Sequence, residues 1–503
     1  MEASSCFAAM TIQWPKALGL GTLAHVILFV SVALHCLTHP RESRSTILWL
    51  FTVWAFPLVG VLFYCSFGVS HVPRKAWHKH RSDRQFGDAR AEREMDSQPL
   101  AYWRSLRSAH ASKPCCAETF DRVLNLITPD HPLLSGNAIE LLLDGTETYP
   151  ALLGAIRGAR HHIHLMTYII GYDAISREVL DACAERARDG VKVRILYDEF
   201  GSAKARIRKF FRRYRWAPNM QVVGFTQVGL LKRSIQINLR NHRKIAVVDG
   251  EVAFTGGVNL HQGHLPKDGK LAIRDYHFRI RGPLVNELQY TFLRDWYYMT
   301  DEDSQELLSQ AYFGRPESVG DITARIVNSG PTSAQNSLDD VLFTALSEAS
   351  RDVTAVTPYL ILTEPLLQAT RMAALRGVSV RLIVPGNNNN HRSVLHASRS
   401  QYATLLEAGV RIYERRGPLL HAKAMVIDGS LSIFGTANLD IRSLRLNYET
   451  SIVSYDPTLA GRLLQEMQVD LKESEEIDLN RWLRRPWKQR ILENAMALIS
   501  PIL

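Results

Sequence analysis

The sequence predicts an α/β protein in which two duplicated domains form one pseudo-twofold catalytic unit, preceded by a transmembrane helical hairpin. Three observations lead to this prediction. Two long runs near the N-terminus lack charged residues, the rest of the chain contains a long internal repeat, and helix-like and strand-like patterns alternate within each copy. The chain of 503 residues is long enough for roughly two to four folding units.

The N-terminal runs predict where the protein resides. Residues 17–40 and 45–73 contain no Asp, Glu, Lys or Arg, and each run is long enough to cross about 30 Å of hydrocarbon. The alternatives are a cleaved signal peptide and a buried core hairpin. The first run is too long for a signal peptide, and a second run follows it. We therefore expect a membrane hairpin of two transmembrane helices over residues 1–71.

The distribution of basic residues predicts the orientation of this hairpin. The loop between the runs has Arg41 and Arg44, whereas the flank after the second run is richer: Arg74, Lys75, Lys79, Arg81 and Arg84. Because basic flanks stay in the cytoplasm, we expect an integral, multi-pass protein of the inner membrane whose catalytic domains face the cytoplasm. The six cysteines show neither a disulfide framework nor a zinc pattern. Residues 72–135 are predicted to be a basic juxtamembrane linker.

The compact part is predicted to be two domains, residues 136–315 and 316–485. Its first strand, 138–145, is expected to end at an Asp-Gly turn. A helix-to-strand pattern then recurs at an offset of 190 residues: Ala155, Ile156, Ala159, Ile163 and Thr167 match Ala345, Leu346, Ala349, Val353 and Thr357. The apolar segments 190–198 and 377–385 follow in the same order. A repeat this long indicates duplicated domains with central sheets, because solenoid units are much shorter.

Six positions late in each domain carry the strongest functional signal. His, Lys, Asp, Gly, Gly and Asn stand at relative positions 0, +2, +7, +8, +14 and +17 in both copies. The two sets are His242, Lys244, Asp249, Gly250, Gly256 and Asn259, and His421, Lys423, Asp428, Gly429, Gly435 and Asn438. A lone His-x-Lys arises by chance in a chain with 18 histidines. Six matching positions in two repeats do not.

The spacing predicts the local geometry of each set. Both segments look like two apolar strands joined at an Asp-Gly hairpin turn. Residues two apart on a strand share a face, so the His and Lys of each motif should point together. Asp249 and Asp428 belong to the candidate catalytic motifs, but their opposite parity favours a role in fixing the hairpin or a nearby loop. The amides of Asn259 and Asn438 could return beside the His-Lys face and bind an anion.

Two copies of an imidazole, an ammonium and an amide suit phosphodiester displacement. Lysines and asparagines can bind the oxygens on which charge develops. One neutral imidazole can attack phosphorus, while the other protonates the leaving alkoxide and later deprotonates the incoming alcohol. The pattern requires no metal and no cofactor. The basic balance of 60 Lys plus Arg against 50 Asp plus Glu favours an anionic substrate.

The paired His-x-Lys-x4-Asp motifs resemble those of the phospholipase D superfamily. Within it, the chain from the apolar hairpin onward is similar to bacterial cardiolipin synthases, through "RNHRKIAVVDG", "RDYHFRIRGP", "HAKAMVIDG", "GTANLD" and "PLVGVLFY". The resemblance implies two phospholipase D-like α/β domains and a phosphohistidine intermediate. It also implies transfer of a phosphatidyl group between two phosphatidylglycerol molecules with release of glycerol. A hydrolytic phospholipase D, a transferase using another alcohol, a nuclease and a non-catalytic membrane scaffold are the alternatives.

The resemblance also assigns supporting residues. Asp275 and Glu449 match the acidic positions that orient a catalytic His in this superfamily. Two departures concern the substrate rather than the reaction class. Ile273 stands where many relatives have Trp, and Gly257 stands where others have Ser, a place that Thr436 fills in the second motif.

Three further features suggest contact with an anionic membrane lipid rather than nucleic acid. The segment 204–216 mixes Lys and Arg with aromatic residues, and it is either a helix with a solvated basic face or a surface for an anionic partner. The loop 229–233 could dip between headgroups. The C-terminal amphipathic helix, 486–503, is either packed against the domains or interfacial. We expect no role in nucleic-acid binding, and we expect His161, His162, His164 and His277 to be structural.

Overall fold

The computed structural model describes residues 14–38, 43–65, 72–96, 118–225, 239–309, 311–313, 317–331, 337–387 and 392–498. These residues form two compact units, Met1–Lys75 and Ala76–Leu503. The predicted loop 229–233 lies outside the described residues.

The described residues of the N-terminal unit include the helices α1 (Trp14–Thr38), α2 (Ser43–Ala55) and α3 (Pro57–Phe63). The second apolar run is divided at Phe56, because Pro57 occupies the first turn of a new helix and lacks the amide hydrogen needed to continue the old one. The sequence predicted two membrane-spanning helices here. Among the residues that the structure describes, no helix is both long enough and apolar enough to cross a membrane.

The larger unit is organised around one sheet that runs through both repeats. The first repeat contributes β1 (Leu134–Leu143), β2 (His162–Thr167), β3 (Lys192–Asp198), β4 (Met220–Phe225), β5 (Ile245–Val248), β6 (Val252–Gly256), β7 (Ile273–Arg274) and β8 (Tyr276–Arg281). The second contributes β9 (Ile322–Ser329), β10 (Asp352–Val356), β11 (Leu360–Ile361), β12 (Ser379–Pro385), β13 (Arg411–Arg415), β14 (Leu419–Leu420), β15 (Ala424–Ile427), β16 (Leu431–Gly435), β17 (Leu439–Asp440), β18 (Glu449–Ser454) and β19 (Ser474–Glu476).

The strand order reveals the duplication. In the 15-stranded sheet the order is β19-β13-β12-β10-β15-β16-β18-β9-β1-β8-β6-β5-β2-β3-β4. The central pair, β9 and β1, is antiparallel, and the order of strands outward from it is the same in both directions until β19. Two short sheets, β11 with β17 and β14 with β7, lie outside it. This arrangement confirms the predicted duplicated α/β architecture.

Helices cover the sheet. In the larger unit they are α4 (Val72–Asp96), α5 (Glu118–Ile127), α6 (Asp144–Gly158), α7 (Ala174–Arg188), α8 (Ala203–Ile207), α9 (Leu284–Thr300), α10 (Ser304–Leu307), α11 (Ser337–Glu348), α12 (Glu364–Leu375), α13 (Arg392–Arg399), α14 (Tyr402–Glu407), α15 (Ile441–Arg445), α16 (Pro457–Lys472), α17 (Leu479–Leu483) and α18 (Trp487–Leu498). Short 3₁₀ helices span Phe210–Arg213 and Gln262–His264. Asp144, expected in a turn, instead begins α6.

The hairpin turns have the geometry that Asp-Gly predicts. β5 and β6 are joined through Asp249 and Gly250, whose φ angles are 56° and 69°. β15 and β16 are joined through Asp428 and Gly429, with φ angles of 51° and 68°. Two consecutive residues with positive φ form the turn that matches the twist of paired strands. The sequence therefore located both hairpins correctly.

Where the structure describes the predicted linker, residues 72–135, the helices α4 and α5 pack into the fold. Phe86 of α4 is fully buried in the core of the larger unit, and Phe120 and Leu124 of α5 are buried against the second repeat. Lys79 is buried and pairs with Asp83 at 2.5 Å and with Asp295 of α9 at 2.9 Å. A lysine without solvent exposure requires such carboxylate partners. The charge of Lys79 is therefore paired inside the fold, and the assignment of residues 72–135 as a linker stays a prediction.

The basic segment 204–216 is also more buried than its composition suggests. Phe210, Phe211 and Tyr214 belong to the core of the first repeat, so they are not available to stack on nucleic-acid bases. Trp216 is exposed. The C-terminal helix α18 packs on the larger unit through one apolar side chain and leaves others exposed, so its interfacial role stays a prediction. Met496 packs beside Ile361 and Val394, whereas Trp487, Ile491 and Leu498 are among its exposed apolar side chains.

Candidate active site

A cavity of about 430 Å³ lies where the two repeats meet, and both motif histidines line it. Its size falls within the usual range for small-molecule sites. The lining residues come from both repeats and include Tyr168, Phe200, Arg240, His242, Asn259, His261, His264, Tyr359, Leu419, His421, Asn438, Asp440 and Arg442. The duplication therefore forms one shared site rather than two separate ones.

Reciprocal backbone contacts bring the motifs together. The amide of His242 donates to the carbonyl oxygen of Tyr448 at 3.0 Å, and the amide of His421 donates to that of Arg274 at 2.7 Å. Tyr448 precedes Glu449, and Arg274 precedes Asp275. Each motif His is thereby placed beside the acidic residue of the other repeat. The acids that the resemblance assigned are present, and they act across the interface between the repeats.

The first half-site consists of His242 and Glu449. The imidazole Nδ1 of His242 lies 3.0 Å from Oε1 of Glu449. Thr436 Oγ1 donates to the same carboxylate at 2.6 Å, and Asn447 Nδ2 donates to it at 3.2 Å. Burial lowers the pKa of His242 to about 4, although Glu449 acts in the opposite direction. With Nδ1 bound, Nε2 of the neutral ring is the nitrogen that remains for chemistry.

The second half-site consists of His421 and Asp275. Nδ1 of His421 lies 2.6 Å from Oδ2 of Asp275 and 3.0 Å from Nζ of Lys423. Burial, with help from Lys423 and Lys244, lowers the pKa of His421 well below its ordinary value. A Cβ added at Gly257 would lie 1.9 Å from Oδ1 of Asp275, so this position cannot carry the hydroxyl that Thr436 provides in the other half.

The two motif lysines lie beneath the histidines. Both are buried, and each Nζ donates to the backbone carbonyl of its own motif His, with Lys244 at 2.7 Å from the His242 oxygen and Lys423 bound likewise to His421. Burial lowers the pKa of Lys244 to about 7 and that of Lys423 to about 8. Neither lysine lines the cavity.

The two motif asparagines differ in their hydrogen bonds. Asn259 accepts a hydrogen bond on Oδ1 from the amide of Ile169 at 3.2 Å and lines the cavity. Asn438 also lines the cavity, but its Nδ2 donates to Asp440 at 3.1 Å, and its Oδ1 has no partner in the described part of the chain. The structure therefore brings both amides to the site, as the spacing predicted.

The motif aspartates lie away from the cavity. Asp249 accepts hydrogen bonds from the amides of residues 160–162 at 2.7–2.9 Å. Asp428 does the same for residues 350–352 at 2.7–3.0 Å. Each carboxylate ties its hairpin turn to the start of a neighbouring strand. Their geometry agrees with the parity argument, and neither is placed to touch a substrate.

Several cavity residues were missed by the sequence analysis, chiefly Arg240, Arg442, His261 and His264. The arginines could have been identified by comparing the positions at which the two repeats differ, because each arginine stands close to a motif residue and has an uncharged counterpart in the other repeat. His162, His164 and His277 are buried away from this cavity, as expected for structural histidines. Among the described residues, no group of three or more His, Cys, Asp or Glu could hold a metal ion. Independence from metals and cofactors stays a prediction.

Comparison with known proteins gives the same picture. A family model described as "Cardiolipin synthase, PLD-like domain" matches residues 152–296 and 342–471, and one described as "Phospholipase_D-nuclease N-terminal" matches 27–68. A cardiolipin synthase of Geobacillus kaustophilus is 35% identical over 493 residues, covering 97% of this chain and 95% of that protein. One of Alkalihalophilus pseudofirmus is 34% identical over 506 residues, with coverages of 99% and 97%.

A solved structure shares the fold of the larger part of the chain. The crystal structure of a phosphatidylserine synthase from Haemophilus influenzae Rd KW20 has a TM-score of 0.59 and 16% sequence identity. It covers 77% of this chain and 100% of its own. At this identity, the likeness concerns the fold alone.

Proposed function

The chain belongs to the family of phospholipase D-like cardiolipin synthases, and from that premise we propose that it joins two phosphatidylglycerol molecules through a covalent phosphohistidine. As a phosphatidyltransferase, it moves the phosphatidyl group of one lipid to a hydroxyl of another, and glycerol leaves. The observation that supports this mechanism best is the pair of histidines in one cavity, each bound through Nδ1 to a carboxylate of the other repeat.

In the first step, Nε2 of one His attacks phosphorus. The N–P bond forms as the bond between phosphorus and the glycerol oxygen breaks, and the second His gives its proton to that oxygen. The resemblance favours His242 as the nucleophile and His421 as the proton donor. Because burial and the two motif lysines lower the pKa of His421, we infer that the negative charge of the bound phosphodiester helps His421 to hold this proton.

In the second step, His421 takes a proton from a hydroxyl of the accepting phosphatidylglycerol. The new O–P bond forms, the N–P bond breaks, and both histidines return to their starting state. Lys244 and Lys423 lower the energy of both transition states by placing positive charge near the phosphoryl oxygens, and Asn259 and Asn438 add amide dipoles. Glu449 and Asp275 orient the rings and stabilise the imidazolium forms, while Asp249 and Asp428 hold the hairpins.

Hydrolysis is the second candidate reaction, with water in place of the accepting lipid. A direct test supplies the purified full-length protein with labelled phosphatidylglycerol in detergent–lipid mixtures and identifies the products. Cardiolipin together with glycerol supports transfer. Phosphatidic acid as the sole lipid product would refute transfer and leave a hydrolase.

We also propose that the N-terminal unit attaches the enzyme to the inner membrane, with the catalytic unit on the cytoplasmic side. The described helices of this unit expose many large apolar side chains, including Leu23, Ile27, Leu34, Leu37, Phe51, Trp54, Leu58 and Leu62. Exposed apolar surface on this scale is costly in water and favourable in lipid. The protein should sediment with membranes after washing with high salt or alkaline carbonate. Release into the supernatant by salt alone contradicts attachment through this apolar surface.

A further inference from the structure

Two arginines that the mechanism does not use line the active-site cavity. Arg240 lies with its guanidinium 4.0 Å from the ring centroid of Phe200, and its Nη1 donates to the hydroxyl of Tyr168 at 3.4 Å. Arg442 lies on the short helix α15 and is buried. Both belong to the same cavity as His242 and His421. The cavity therefore contains cationic groups in addition to the motif lysines.

These arginines break the twofold symmetry of the site. Arg240 stands two residues before His242, and the matching position before His421 is Leu419. Arg442 stands four residues after Asn438, and the matching position after Asn259 is Gly263. The motif residues that serve the reacting phosphate are duplicated, but these two cations occur on one side only. The duplicated motif therefore does not account for these two cations in the cavity.

The electrostatics of the pair indicate an anionic occupant. Burial, together with the neighbouring charge of Arg240, lowers the pKa of Arg442 to about 10. Two nearby carboxylates, Asp198 and Asp440, offset part of this effect by raising the pKa of Arg442, and both also accept hydrogen bonds from backbone amides. Asp198 accepts from the amides of Phe200 and Asn241, each at 2.9 Å, and Asp440 accepts from the amide of Ser443 at 2.6 Å. Like charges held together in a buried cavity favour binding of an anion, and guanidinium groups match the oxygens of a phosphate.

We propose that Arg240 and Arg442 form a second anion subsite that holds the intact phosphodiester of the accepting lipid. This proposal rests on the proposed function, because only a reaction between two phospholipids brings a second phosphate into the cavity. The motif residues bind the phosphate that reacts. The accepting phosphatidylglycerol carries its own phosphate at the far end of the short glycerol arm that bears the attacking hydroxyl.

The subsite explains how an enzyme with this chemistry selects its acceptor. Water and free glycerol have no phosphate and gain nothing from the arginine pair. An acceptor with a phosphodiester binds there and presents its hydroxyl to the phosphohistidine. The enzyme then selects a lipid acceptor over water because the two arginines bind the acceptor's phosphate, which is separated from the attacking hydroxyl by the glycerol group.

The test measures how the common intermediate divides between two acceptors. Full-length enzyme receives phosphatidylglycerol and labelled free glycerol in the same incubation, and both cardiolipin and labelled phosphatidylglycerol are measured. Both products arise from the same intermediate, so their ratio reports acceptor selection independently of donor attack. We expect Arg240→Gln and Arg442→Gln each to lower the ratio of cardiolipin to exchanged glycerol by about 10- to 100-fold, the range for a lost charge-assisted hydrogen bond.

The exchange reaction also serves as the control for folding. It should fall much less than cardiolipin formation in both variants, and Arg442→Lys, which keeps the charge, should recover part of the ratio. Arg416→Gln, at an exposed position in the same repeat, should leave the ratio unchanged. Equal loss of both products, or an unchanged ratio in both glutamine variants, overturns the subsite. Wild-type enzyme that exchanges glycerol but makes no cardiolipin refutes the proposed function, and the subsite with it.

Discussion

The two halves of the catalytic centre share their motif side chains and differ in the residues that support them. Glu449, which holds His242, receives hydrogen bonds from Thr436 and Asn447, and His242, Lys244 and Thr436 outweigh its burial to lower its pKa. Asp275, which holds His421, has Gly257 where the first carboxylate has a threonine, and burial raises its pKa. A duplicated motif has therefore acquired two unequal environments.

The inequality is what a two-step displacement requires. A nucleophile works best as a neutral imidazole with a fixed orientation, whereas a proton donor must gain and lose charge during each cycle. A carboxylate that is itself held by hydrogen bonds, such as Glu449, fixes the orientation of the imidazole beside it. A carboxylate with fewer hydrogen-bond donors, such as Asp275, interacts more strongly with an imidazole that becomes protonated. Duplication explains the shared parts of the site, and divergence of the supporting residues fits the two roles that the proposed mechanism gives to the histidines.

The strongest test of unequal roles removes each histidine. His242→Ala and His421→Ala should each lower transfer from an ordinary lipid donor by at least about 10³-fold, because attack and protonation are both essential. With a donor that releases p-nitrophenol, whose anion needs no proton, the two variants should differ. We expect trapped phosphoenzyme, measured by acid quench and labelled phosphate, in His421→Ala and not in His242→Ala.

Wild-type trapping in parallel is the control for this experiment. Trapping only in His242→Ala would reverse the roles and keep the mechanism. Trapping in neither variant, with a positive wild-type result, would rule out a division of labour between the histidines.

The lysines provide the second test, through charge and pH. Lys244→Met and Lys423→Met should each lower kcat/KM by about 10²- to 10³-fold, the usual loss for one donor to a developing oxyanion. Each ammonium is present below its pKa and lost as pH rises through it. Because these pKa values are about 7 for Lys244 and about 8 for Lys423, wild-type activity should decline above neutral pH.

An arginine at position 244 sharpens this test. Arg stays charged across the accessible range, so Lys244→Arg should move the alkaline decline toward the value set by Lys423. The measurement is kcat/KM against pH for both proteins. An identical alkaline limb in the two proteins would remove Lys244 as the group that titrates.

Much of this site was predictable because the duplication provides an internal alignment. The offsets of His242 and His421 identified both motifs, and Asp-Gly located both hairpins, since that dipeptide favours one turn geometry. The contact between Glu449 of the second repeat and His242 of the first was not predictable from the sequence. It depends on backbone pairing between segments more than 200 residues apart in sequence, and no local pattern encodes that contact.

Charge composition was the least reliable guide to the fold. Lys79 and Arg90 lie in a charged segment without a periodic apolar pattern, yet both side chains are buried and paired with carboxylates. Ion pairs that form only in the folded chain leave no periodic signature in the sequence. The arginines of the cavity escaped notice for a related reason. A search for positions that match between the repeats discards those that differ.

The residues beside the two carboxylates give the third test. A side chain added beside Asp275 should lower activity, whereas beside Glu449 it is the removal of a side-chain hydroxyl that should lower activity. Gly257→Ala places a Cβ 1.9 Å from Asp275 unless that carboxylate moves away from His421, so we expect a loss of about 10²-fold in kcat/KM. Gly257→Ser, which copies the second motif, should be no better. Wild-type activity in Gly257→Ser would show that Asp275 tolerates the displacement.

Thr436→Val is the corresponding test in the other half, where a hydroxyl is removed instead of a side chain being added. The substitution keeps the shape of the side chain and removes the hydroxyl that donates to Glu449 at 2.6 Å. Asn447 still supports the carboxylate, so the loss in kcat/KM should be only about tenfold. Thr436→Ser, which keeps the hydroxyl, should stay close to wild type. Equal activity of the Val and Ser variants would exclude the hydrogen bond as the reason for a threonine here.

The smallest effect on catalysis is expected at the motif aspartates. Unlike the other motif residues, they should affect stability rather than turnover. Burial alone would raise the pKa of Asp428, but the amides of residues 350–352 outweigh burial, and its pKa lies below the ordinary value. A depressed pKa means that its contribution to stability is present above the unfolded-state pKa and is lost as pH falls through the folded-state value. Asp428→Asn should therefore lower the free energy of unfolding near neutral pH by about 1–3 kcal/mol, measured by urea denaturation, and flatten its decline in acid.

Since the carboxylate does not line the cavity, kcat should change by less than about threefold. A large fall in kcat with unchanged stability would place Asp428 in the reaction and overturn its assignment to the hairpin.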